Sequence, residues 1–280
     1  MTPLSVDDVV AKLQDLPSLP VVVMELLTSI EQQDVDISVL ARKVSHDQAL
    51  TAKTLRLANS STYGLQVKVT TIQQAITFLG VQTTRNVITA AALTGCFSAG
   101  QCAGFDHQTF WRHSIATAAC ARVLARHMRF NQDYAFTAGL LHDIGRLVLV
   151  STFPQRYADV IAWRGAHDGE WIEAERAVLG LDHVTAGVAL AERWNFSETM
   201  RLGIAGHHVP ARAGAGVLAT LIHVANTIVH ALDIAGDADD LVPPVSPVAW
   251  GALGLNEEVC LQVFRETELQ FDEIHTILMR

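Results

Sequence analysis

Apolar residues recur at helical spacing along most of the chain, and no run alternates as a half-buried β-strand does. The clearest set is Ile72, Ala75, Ile76 and Leu79. Residues three and four apart lie on one face of an α-helix, so this set forms one apolar stripe. Half of the residues are hydrophobic but few are aromatic, and the many Ala, Leu and Val residues suit helix packing better than a β-sandwich. The sequence therefore predicts an all-α fold.

The same spacing predicts helices over residues 36–44, 47–58, 72–79, 81–97, 108–128, 133–153, 170–179, 183–194, 198–207, 217–232 and 256–279. Asp36 or Ser38 is expected to cap the first of these, and Asp47 the second. Thr71 is expected to open a capping box and Gly80 to end that helix. The loop-like residues 98–104 place a boundary between an N-terminal helical subdomain, residues 1–100, and a second helical part, residues 101–280. Residues 236–247 are predicted to be a loop.

Charge and cysteine usage limit the classes of function. The formal net charge of -9 argues against broad nucleic-acid binding, which needs a clustered positive surface. The most apolar windows, residues 87–97 and 147–153, are too short to cross a bilayer, and the N-terminus lacks the pattern of a secretory signal. The four cysteines show no CxxC pairing. We therefore expect a reduced, cytoplasmic protein that does not contact the membrane.

One histidine–aspartate pair needs a physical explanation. Such dipeptides occur three times, at His46-Asp47, His142-Asp143 and His167-Asp168. The first sits where a helix cap is expected and the third in a turn-like segment. The second lies in the strongly apolar, helical residues 138–145, where a charged pair is costly to bury without a partner or a metal ion. His142 and Asp143 are therefore the first candidates for a metal site.

Further candidate ligands are His113, His183, His207 and His208. Neighbouring helix residues point about 100° apart, so His207 and His208 can face two metals, or a metal and a substrate. Imidazole and carboxylate donors without a thiolate suit Fe, Mn, Zn or Ni, and Mg where waters complete the shell. Any single histidine is more often a hydrogen-bonded core or surface residue. We interpret the following in that way: His127, His223, His230 and His275.

The order His113, His142-Asp143, His183, His207-His208 resembles the HD superfamily of metal-dependent phosphohydrolases, especially its HD-GYP branch. More of the chain resembles the related HDOD family. The matching motifs are residues 16–20 (LPSLP), 59–64 (NSSTYG), 75–80 (AITFLG), 111–114 (WRHS) and 139–145 (GLLHDIG). The resemblance covers roughly residues 16–231. It implies an HD-like all-α fold, a role in bacterial signal transduction, a signalling protein partner and a nucleotide ligand. HDOD domains are generally regarded as lacking demonstrated hydrolase activity.

The chain departs from the enzyme pattern at three places. HD enzymes close their site with a late Asp, and Asn226 stands at the best-matching position. The Gly-Tyr-Pro signature is absent after His208, and Arg146 replaces a lysine. These departures predict a non-catalytic regulator with a degenerate metal site. The alternative is a metal-dependent phosphohydrolase acting on a phosphodiester such as a cyclic dinucleotide, with Asp143 and Arg146 as its catalytic residues.

A third interpretation is DNA binding by a helix-turn-helix over residues 37–58. The basic residues that would face phosphate are Arg42, Lys43, Lys53 and Arg56. The opposing interpretation is that the leucines and valine of this segment are core residues and the basic groups a solvated face. The acidic chain and the absence of a glycine turn favour the opposing interpretation.

Overall fold

The computed structural model describes residues 3–16, 21–28, 37–59, 68–97, 102–211, 216–237 and 240–278. Within these ranges every regular element is helical and there is no strand, which confirms the predicted all-α fold. The α-helices are α1 (Val6–Lys12), α2 (Val21–Thr28), α3 (Ile37–Ser45), α4 (Gln48–Ala58), α5 (Ile72–Leu79), α6 (Val81–Cys96), α7 (His107–His127), α8 (Gln132–Leu141), α9 (Ile144–Thr152), α10 (Pro154–His167), α11 (Trp171–Leu179), α12 (His183–Arg193), α13 (Glu198–Gly206), α14 (Gly216–Ala231), α15 (Pro247–Ala252) and α16 (Glu257–Leu278). A short 3-10 helix, Leu13–Asp15, follows α1.

Two predicted helix caps are present. Asp47 Oδ1 accepts a hydrogen bond from the Leu50 N–H at 3.0 Å, and Thr71 Oγ1 accepts one from the Gln74 N–H at 3.1 Å. The Gln74 side chain returns to the N–H of Thr70 rather than that of Thr71, so the expected capping box closes one residue early. For the first predicted helix, Asp36 lies outside the described residues, and the alternative cap Ser38 was wrong because Ser38 lies inside α3.

The segment predicted as one helix over residues 133–153 is two helices, and that prediction was wrong. α8 ends at Leu141, His142 and Asp143 form a turn, and α9 begins at Ile144. Packing at Gly145 explains the break in part. A Cβ added there would lie 1.9 Å from the backbone oxygen of His183, so α9 meets α12 at a closeness that only glycine allows.

Some helices were missed from the sequence. These are α1, α2, α10 and α15. Pro154 does follow the end of one helix, as predicted, but it also begins α10, because the first position of a helix needs no backbone N–H donor. Pro247 begins α15 in the same way, at the end of the predicted loop.

The chain forms two compact units. One consists of Met1–Pro17 with Phe97–Glu268, and the other of Ser18–Cys96 with Leu269–Arg280. In the first unit α7 packs on α8 and α14, α9 on α12, α10 on α11, and α13 on α14. In the second, α3 to α6 pack on one another, and α2 packs on α3 and α6. The boundary between subdomains proposed at residue 100 stays a prediction.

Residues 37–58 include the helices α3 and α4, which contribute side chains to the core. Val44 and Leu50 belong to the core. Lys53, one of the basic residues considered for DNA, is half-buried and donates to the Ala91 carbonyl oxygen at 3.3 Å. Burial lowers the pKa of Lys53. This lysine therefore serves the packing of α4 on α6 rather than a solvated basic face.

Two of the family-like motifs are described only in part. Asn59 bonds through its side-chain amide to the Leu55 carbonyl and to both backbone groups of Val69, so it links the end of α4 to the segment that precedes α5. Residues 60–64 and 17–20 lie outside the described residues. Separately, no helix in the described ranges is both long enough and apolar enough to span a bilayer.

Candidate metal centre

The six side chains proposed as metal ligands lie together, in the first unit. They form two groups that share Asp143. One group is Asp143, His183, His207 and His208, and the other is His113, His142 and Asp143. Within each group the candidate ligand atoms all lie within 4.8 Å of one another. All six side chains are buried except His208, which is half-buried. The fold thus brings together residues separated by up to 95 positions in the chain.

Helix ends position most of these side chains. His142 and Asp143 occupy the turn between α8 and α9. His183 is the first residue of α12, and His207 directly follows α13. His113 is the exception, because it lies within α7.

Asp143 is the geometric centre of the cluster. Its Oδ1 lies 3.3 Å from His183 Nε2, 3.4 Å from His207 Nε2 and 3.5 Å from His142 Nε2. In addition, the Nε2 atoms of His183 and His208 are 3.0 Å apart, and those of His113 and His142 are 3.3 Å apart. Two donors that share one ion at bond lengths of about 2.1 Å stand roughly 3–3.5 Å from each other. The observed separations are compatible with ligands that share one ion.

Hydrogen bonds fix the orientation of three imidazoles. His142 Nδ1 lies 2.7 Å from the Gly139 carbonyl oxygen, and His207 Nδ1 lies 2.7 Å from that of Ile204. A carbonyl oxygen only accepts, so each Nδ1 carries the proton and each Nε2 presents a lone pair to the centre. His183 Nδ1 is held by the Glu175 carboxylate at 2.6 Å. Metal-binding histidines in proteins are oriented in this way.

A buried atom without a hydrogen-bond partner indicates whether the cluster could hold a metal ion. His207 Nε2 is fully buried and has no hydrogen-bond partner among the described residues. With its proton on Nδ1, this atom and the nearby Asp143 oxygen both present lone pairs, so they do not bond to each other. Leaving such a buried polar atom unpaired costs about 1–3 kcal/mol. A cation would satisfy both atoms, and the donor set therefore fits a divalent metal.

The electrostatics of Asp143 and His142 suit metal ligands, whereas His183 would have to release a proton to bind an ion. Burial alone would raise the pKa of Asp143, but the imidazoles of His142 and His183 hold it well below its ordinary value. Burial lowers the pKa of His142 to about 4. For His183 burial also lowers the pKa, but the carboxylates of Glu175 and Asp143 outweigh it and the pKa is raised. At neutral pH, Asp143 is thus an anion and His142 a neutral donor.

A chain of buried polar groups that the sequence did not reveal supports the cluster. Glu175 is fully buried, accepts from His183 and also accepts from the Tyr157 hydroxyl at 2.8 Å. Arg146 donates through Nε to the Tyr157 oxygen at 3.3 Å, and its Nη1 lies 3.5 Å from Asp143 Oδ2. Arg146 also lines the two adjoining cavities.

One histidine that was interpreted as structural borders the site. The His230 ring lies 4.5 Å from the His113 ring, and its Nδ1 is 2.6 Å from the Asp240 carboxylate. By contrast, His223 does have a structural role, because its Nδ1 donates to the His207 carbonyl and its Nε2 accepts from the Ser246 N–H. His230 lies one helical turn after Asn226, and that spacing was the only signal in the sequence.

Asn226 lies beside the cluster. A small cavity of about 40 Å³ is lined by Asn226 together with Asp143, His183 and His208. Asn226 is buried, and its Oδ1 has no hydrogen-bond partner among the described residues. A neutral oxygen donor therefore stands where the resemblance to HD enzymes expects a carboxylate.

We expect the metal-free protein to lose stability as the pH falls from about 6.5 towards 4. Between these values the unfolded chain takes up a proton at His142 that the folded protein excludes, since the pKa of this group is lowered to about 4. This group lowers the free energy of unfolding by at most roughly 3 kcal/mol across that window. Urea unfolding with a chelator at pH 7 and pH 4.5 measures the change.

The variant His142→Gln is the control for this pH dependence. It removes the titrating group, so its free energy of unfolding should fall less than that of the parent over the same interval. The lowered pKa values of His113 and His208 and the raised pKa of His183 act in both proteins, so the difference between the two reports His142. Equal pH dependence in the two proteins would show that His142 is not the group responsible.

The chain is similar in sequence and in structure to known proteins. A protein of Treponema pallidum (strain Nichols), described only as uncharacterized, is 26% identical over 199 residues, which are 70% of this chain and 38% of that protein. The chain thus spans about two-fifths of that curated relative. Among solved structures, an HDOD domain protein of unknown function from Geobacter sulfurreducens is 23% identical, with a TM-score of 0.76 over 97% of this chain and 94% of that one.

A second solved structure is similar over nearly the full length of both chains. It is a protein of Shewanella amazonensis SB2B, provisionally named a phosphohydrolase, with 28% identity and a TM-score of 0.75 over 97% of this chain and 98% of that one. The model of the HDOD domain matches residues 16–210, more than two-thirds of the sequence. The chain therefore belongs to the HDOD domain family.

Proposed function

We propose that this protein is a bacterial, cytoplasmic signalling module that binds a divalent cation at Asp143 and acts on a protein partner without turning over a substrate. The observation that supports metal binding is the convergence of three Nε2 atoms on Asp143 Oδ1 at 3.3–3.5 Å. The ligands would be the six clustered residues, within an HD-like subdomain of residues 101–280. Such an ion supplies Lewis acidity and an attachment point for anionic oxygens.

The charge of the cluster favours regulation over catalysis. Asp143 is the one carboxylate among the six candidate ligands, and the others are imidazoles. A single negative charge compensates one divalent ion only in part, and Asn226 adds none. Nitrogen-rich donors favour Fe, Mn, Zn or Ni over Mg. We infer a site that holds an ion but lacks the second acidic ligand expected of the related enzymes.

The variant Asn226→Asp tests this proposal. The new carboxylate would lie beside Asp143, His183 and His208, so we expect divalent-ion affinity to rise at least about tenfold. We also expect the variant, and not the parent, to hydrolyse bis(p-nitrophenyl) phosphate. Calorimetric titration with Mn²⁺ and release of p-nitrophenol measure the two effects.

Asn256→Asp is a matched control for that experiment. Asn256 is exposed and caps α16, a role that aspartate fills equally well, so this variant adds the same charge away from the site. It should change neither metal affinity nor turnover. If Asn226→Asp binds metal no more tightly than the parent, Asn226 is not at the ligand position. Its neutral side chain would then not explain a weakened metal site.

One observation favours a second candidate, a metal-dependent phosphohydrolase acting on a phosphodiester such as a cyclic dinucleotide. Arg146 lies 3.5 Å from Asp143 and also lines both neighbouring cavities, where its guanidinium can meet a phosphate. The provisional name of the Shewanella relative points the same way. Turnover of a cyclic dinucleotide by the parent protein loaded with Mn²⁺ would establish this candidate and exclude the regulator.

A further inference from the structure

Two ligand groups overlap at the candidate metal centre, and they offer an ion different numbers of donors. The His183 group has four members, Asp143, His183, His207 and His208, and the His113 group has three, His113, His142 and Asp143. Both groups draw on Asp143, the one carboxylate among them. Four protein donors complete the shell of a tetrahedral ion, whereas three leave a position open. The number of donors therefore favours an ion in the His183 group.

His113 and His142 can satisfy each other without an ion. The Nδ1 of His142 donates to the Gly139 carbonyl, so its Nε2 is an acceptor. The Nε2 of His113 lies 3.3 Å from that acceptor and donates to it in the tautomer that carries its proton there. Thr117 Oγ1 lies 3.5 Å from the same His113 nitrogen, at the outer limit of hydrogen bonding. An ion between the two rings would have to displace the bond that joins them.

The other nitrogen of His113 lacks the partner that a metal ligand usually has. A metal-binding imidazole in a protein donates its second ring N–H to a carboxylate, a carbonyl or a water. The Nδ1 of His113 is buried and has no hydrogen-bond partner among the described residues. Asp240, which lines the same cavity, accepts from His230 instead. His113 is therefore less well prepared to bind an ion than the histidines whose Nδ1 is held.

His183 has such a partner, and it is a carboxylate. Glu175 Oε2 accepts from the Nδ1 of His183 at 2.6 Å and from its backbone N–H at 2.7 Å. Glu175 Oε1 accepts from the Tyr157 hydroxyl at 2.8 Å. The carboxylate is fully buried, and three donors suit its ionised form, which only accepts. Glu175 therefore fixes a proton on Nδ1 of His183 and directs Nε2 towards Asp143.

Glu175 also changes the charge balance of the centre. The Arg146 guanidinium lies 3.5 Å from Asp143 Oδ2 and donates to the Tyr157 oxygen at 3.3 Å, so one positive charge already opposes an ion at Asp143. Glu175 places a second buried carboxylate on the far side of the His183 ring. Charges interact strongly in a poorly solvated interior, so this carboxylate offsets the guanidinium and strengthens the attraction for a cation. A proton on His183 Nε2 is attracted by the same carboxylate, but a divalent ion carries twice its charge and gains more.

We propose that Glu175 is a positioning residue that makes the His183 group the stronger of the two metal positions, so that the first divalent ion binds there. Glu175 acts through the His183 ring and is not itself a ligand, because both of its oxygens already accept from protein donors. The His113 group stays a hydrogen-bonded pair until a second, weaker ion displaces its bond. This inference rests on the proposed function, since it takes metal binding at Asp143 as given, and it adds which group binds first and what sets its affinity.

Glu175→Gln removes the charge and keeps the shape of the side chain. The amide oxygen can still accept from both His183 N–H groups, and the amide N–H₂ can donate to the Tyr157 oxygen. We expect the affinity for the first Co²⁺ or Zn²⁺ ion to fall about 10–100-fold, measured by calorimetric titration at about pH 8, where protons compete least. We also expect the visible absorption bands of bound Co²⁺ to shift, because their positions depend on the donor strength of His183.

Glu173→Gln is the matched control for that variant. Glu173 lies on the same helix, is exposed and accepts from the Glu170 N–H in a capping box, a role that glutamine also fills. The control removes the same charge away from the centre, so its affinity for the first ion and its Co²⁺ spectrum should match those of the parent. A purely structural role for Glu175 would lower the Tm of metal-free Glu175→Gln and leave the affinity and the spectrum of the folded variant unchanged.

A second pair of variants identifies the group that binds first. His208 belongs only to the His183 group, and His113 belongs only to the other. We expect His208→Gln to weaken binding of the first ion at least about tenfold, and His113→Gln to affect only a second, weaker binding event. The stoichiometry and the affinity of each calorimetric phase measure these effects.

Three results would overturn the proposal. They are an affinity of Glu175→Gln within about threefold of the parent, a loss of the first ion in His113→Gln as large as in His208→Gln, and two ions that bind the parent with equal affinity. In each of these cases the parent still binds metal, so the proposed function stands. A parent that binds no divalent ion overturns the proposed function and this inference together. If Glu175→Gln does not fold, the comparison of His113→Gln with His208→Gln decides.

Discussion

Asp143→Asn is expected to abolish binding of divalent metal to the protein. Asp143 belongs to both candidate ligand groups, and it supplies the one carboxylate of the cluster. The amide keeps the shape of the side chain but removes its charge, and we expect affinity for Mn²⁺ or Zn²⁺ to fall at least about 100-fold. Elemental analysis of protein purified without chelator, together with calorimetric titration, measures this loss.

The same substitution should leave the metal-free fold intact. His142 Nε2 and His207 Nε2 present lone pairs to this position, and an amide N–H₂ group can donate to them where the carboxylate cannot. The amide also removes the ion pair with Arg146, so we expect the metal-free variant to fold with a Tm below that of the parent. Asp159→Asn, an exposed position on α10, is the control for the change in net charge. A full metal complement in Asp143→Asn would place the ion elsewhere.

Gly145→Ala is expected to destabilise the protein by about 3 kcal/mol or more. Its Cβ would lie 1.9 Å from the His183 backbone oxygen and 2.5 Å from the Gly187 N, and neither backbone atom can rotate away. Overpacking of a core usually costs about 1–3 kcal/mol, and backbone contacts place this case at the upper limit. Separating α9 from α12 also moves Asp143 away from His183, so metal affinity should fall with stability. Urea unfolding and metal titration measure both.

Gly165→Ala is the control for this second experiment. Gly165 lies within α10, and an added Cβ there would meet nothing within 4 Å. Alanine is a better helix former than glycine, so we expect this variant to gain up to about 1 kcal/mol. If Gly145→Ala were as stable as the parent, the close approach of α9 and α12 would not be a requirement of the fold.

Helical spacing was sufficient to predict the all-α fold, and residue order was sufficient to nominate the six clustered side chains. The break at His142-Asp143 could not be predicted, because α8 and α9 are both buried and the apolar pattern continues across the turn. Contacts far along the chain decide that position, above all the meeting of Gly145 with the His183 backbone. Helix propensity depends on residues that are close in the sequence, and so it cannot predict a contact between distant segments.

The supporting residues were missed for a related reason. Glu175 is eight positions from His183 and eighteen from Tyr157, the two side chains that it joins. The three side chains lie on three different helices, so no periodicity within one helix relates them, and a buried glutamate in an apolar context gives no distinctive pattern. The His230–Asp240 pair was hidden in the same way, since it joins α14 to an irregular segment.

Placing the candidate ligands at helix ends has a dynamic consequence. His142 and Asp143 join two helices, His183 begins a third and His207 ends a fourth. Helix ends fray most easily, because their terminal N–H and C=O groups lack partners within the helix. An ion held by these side chains would couple the local unfolding of the four helix ends. No one of these ends could then unfold until the ion had dissociated. Amide-hydrogen exchange at these ends would then report occupancy of the centre.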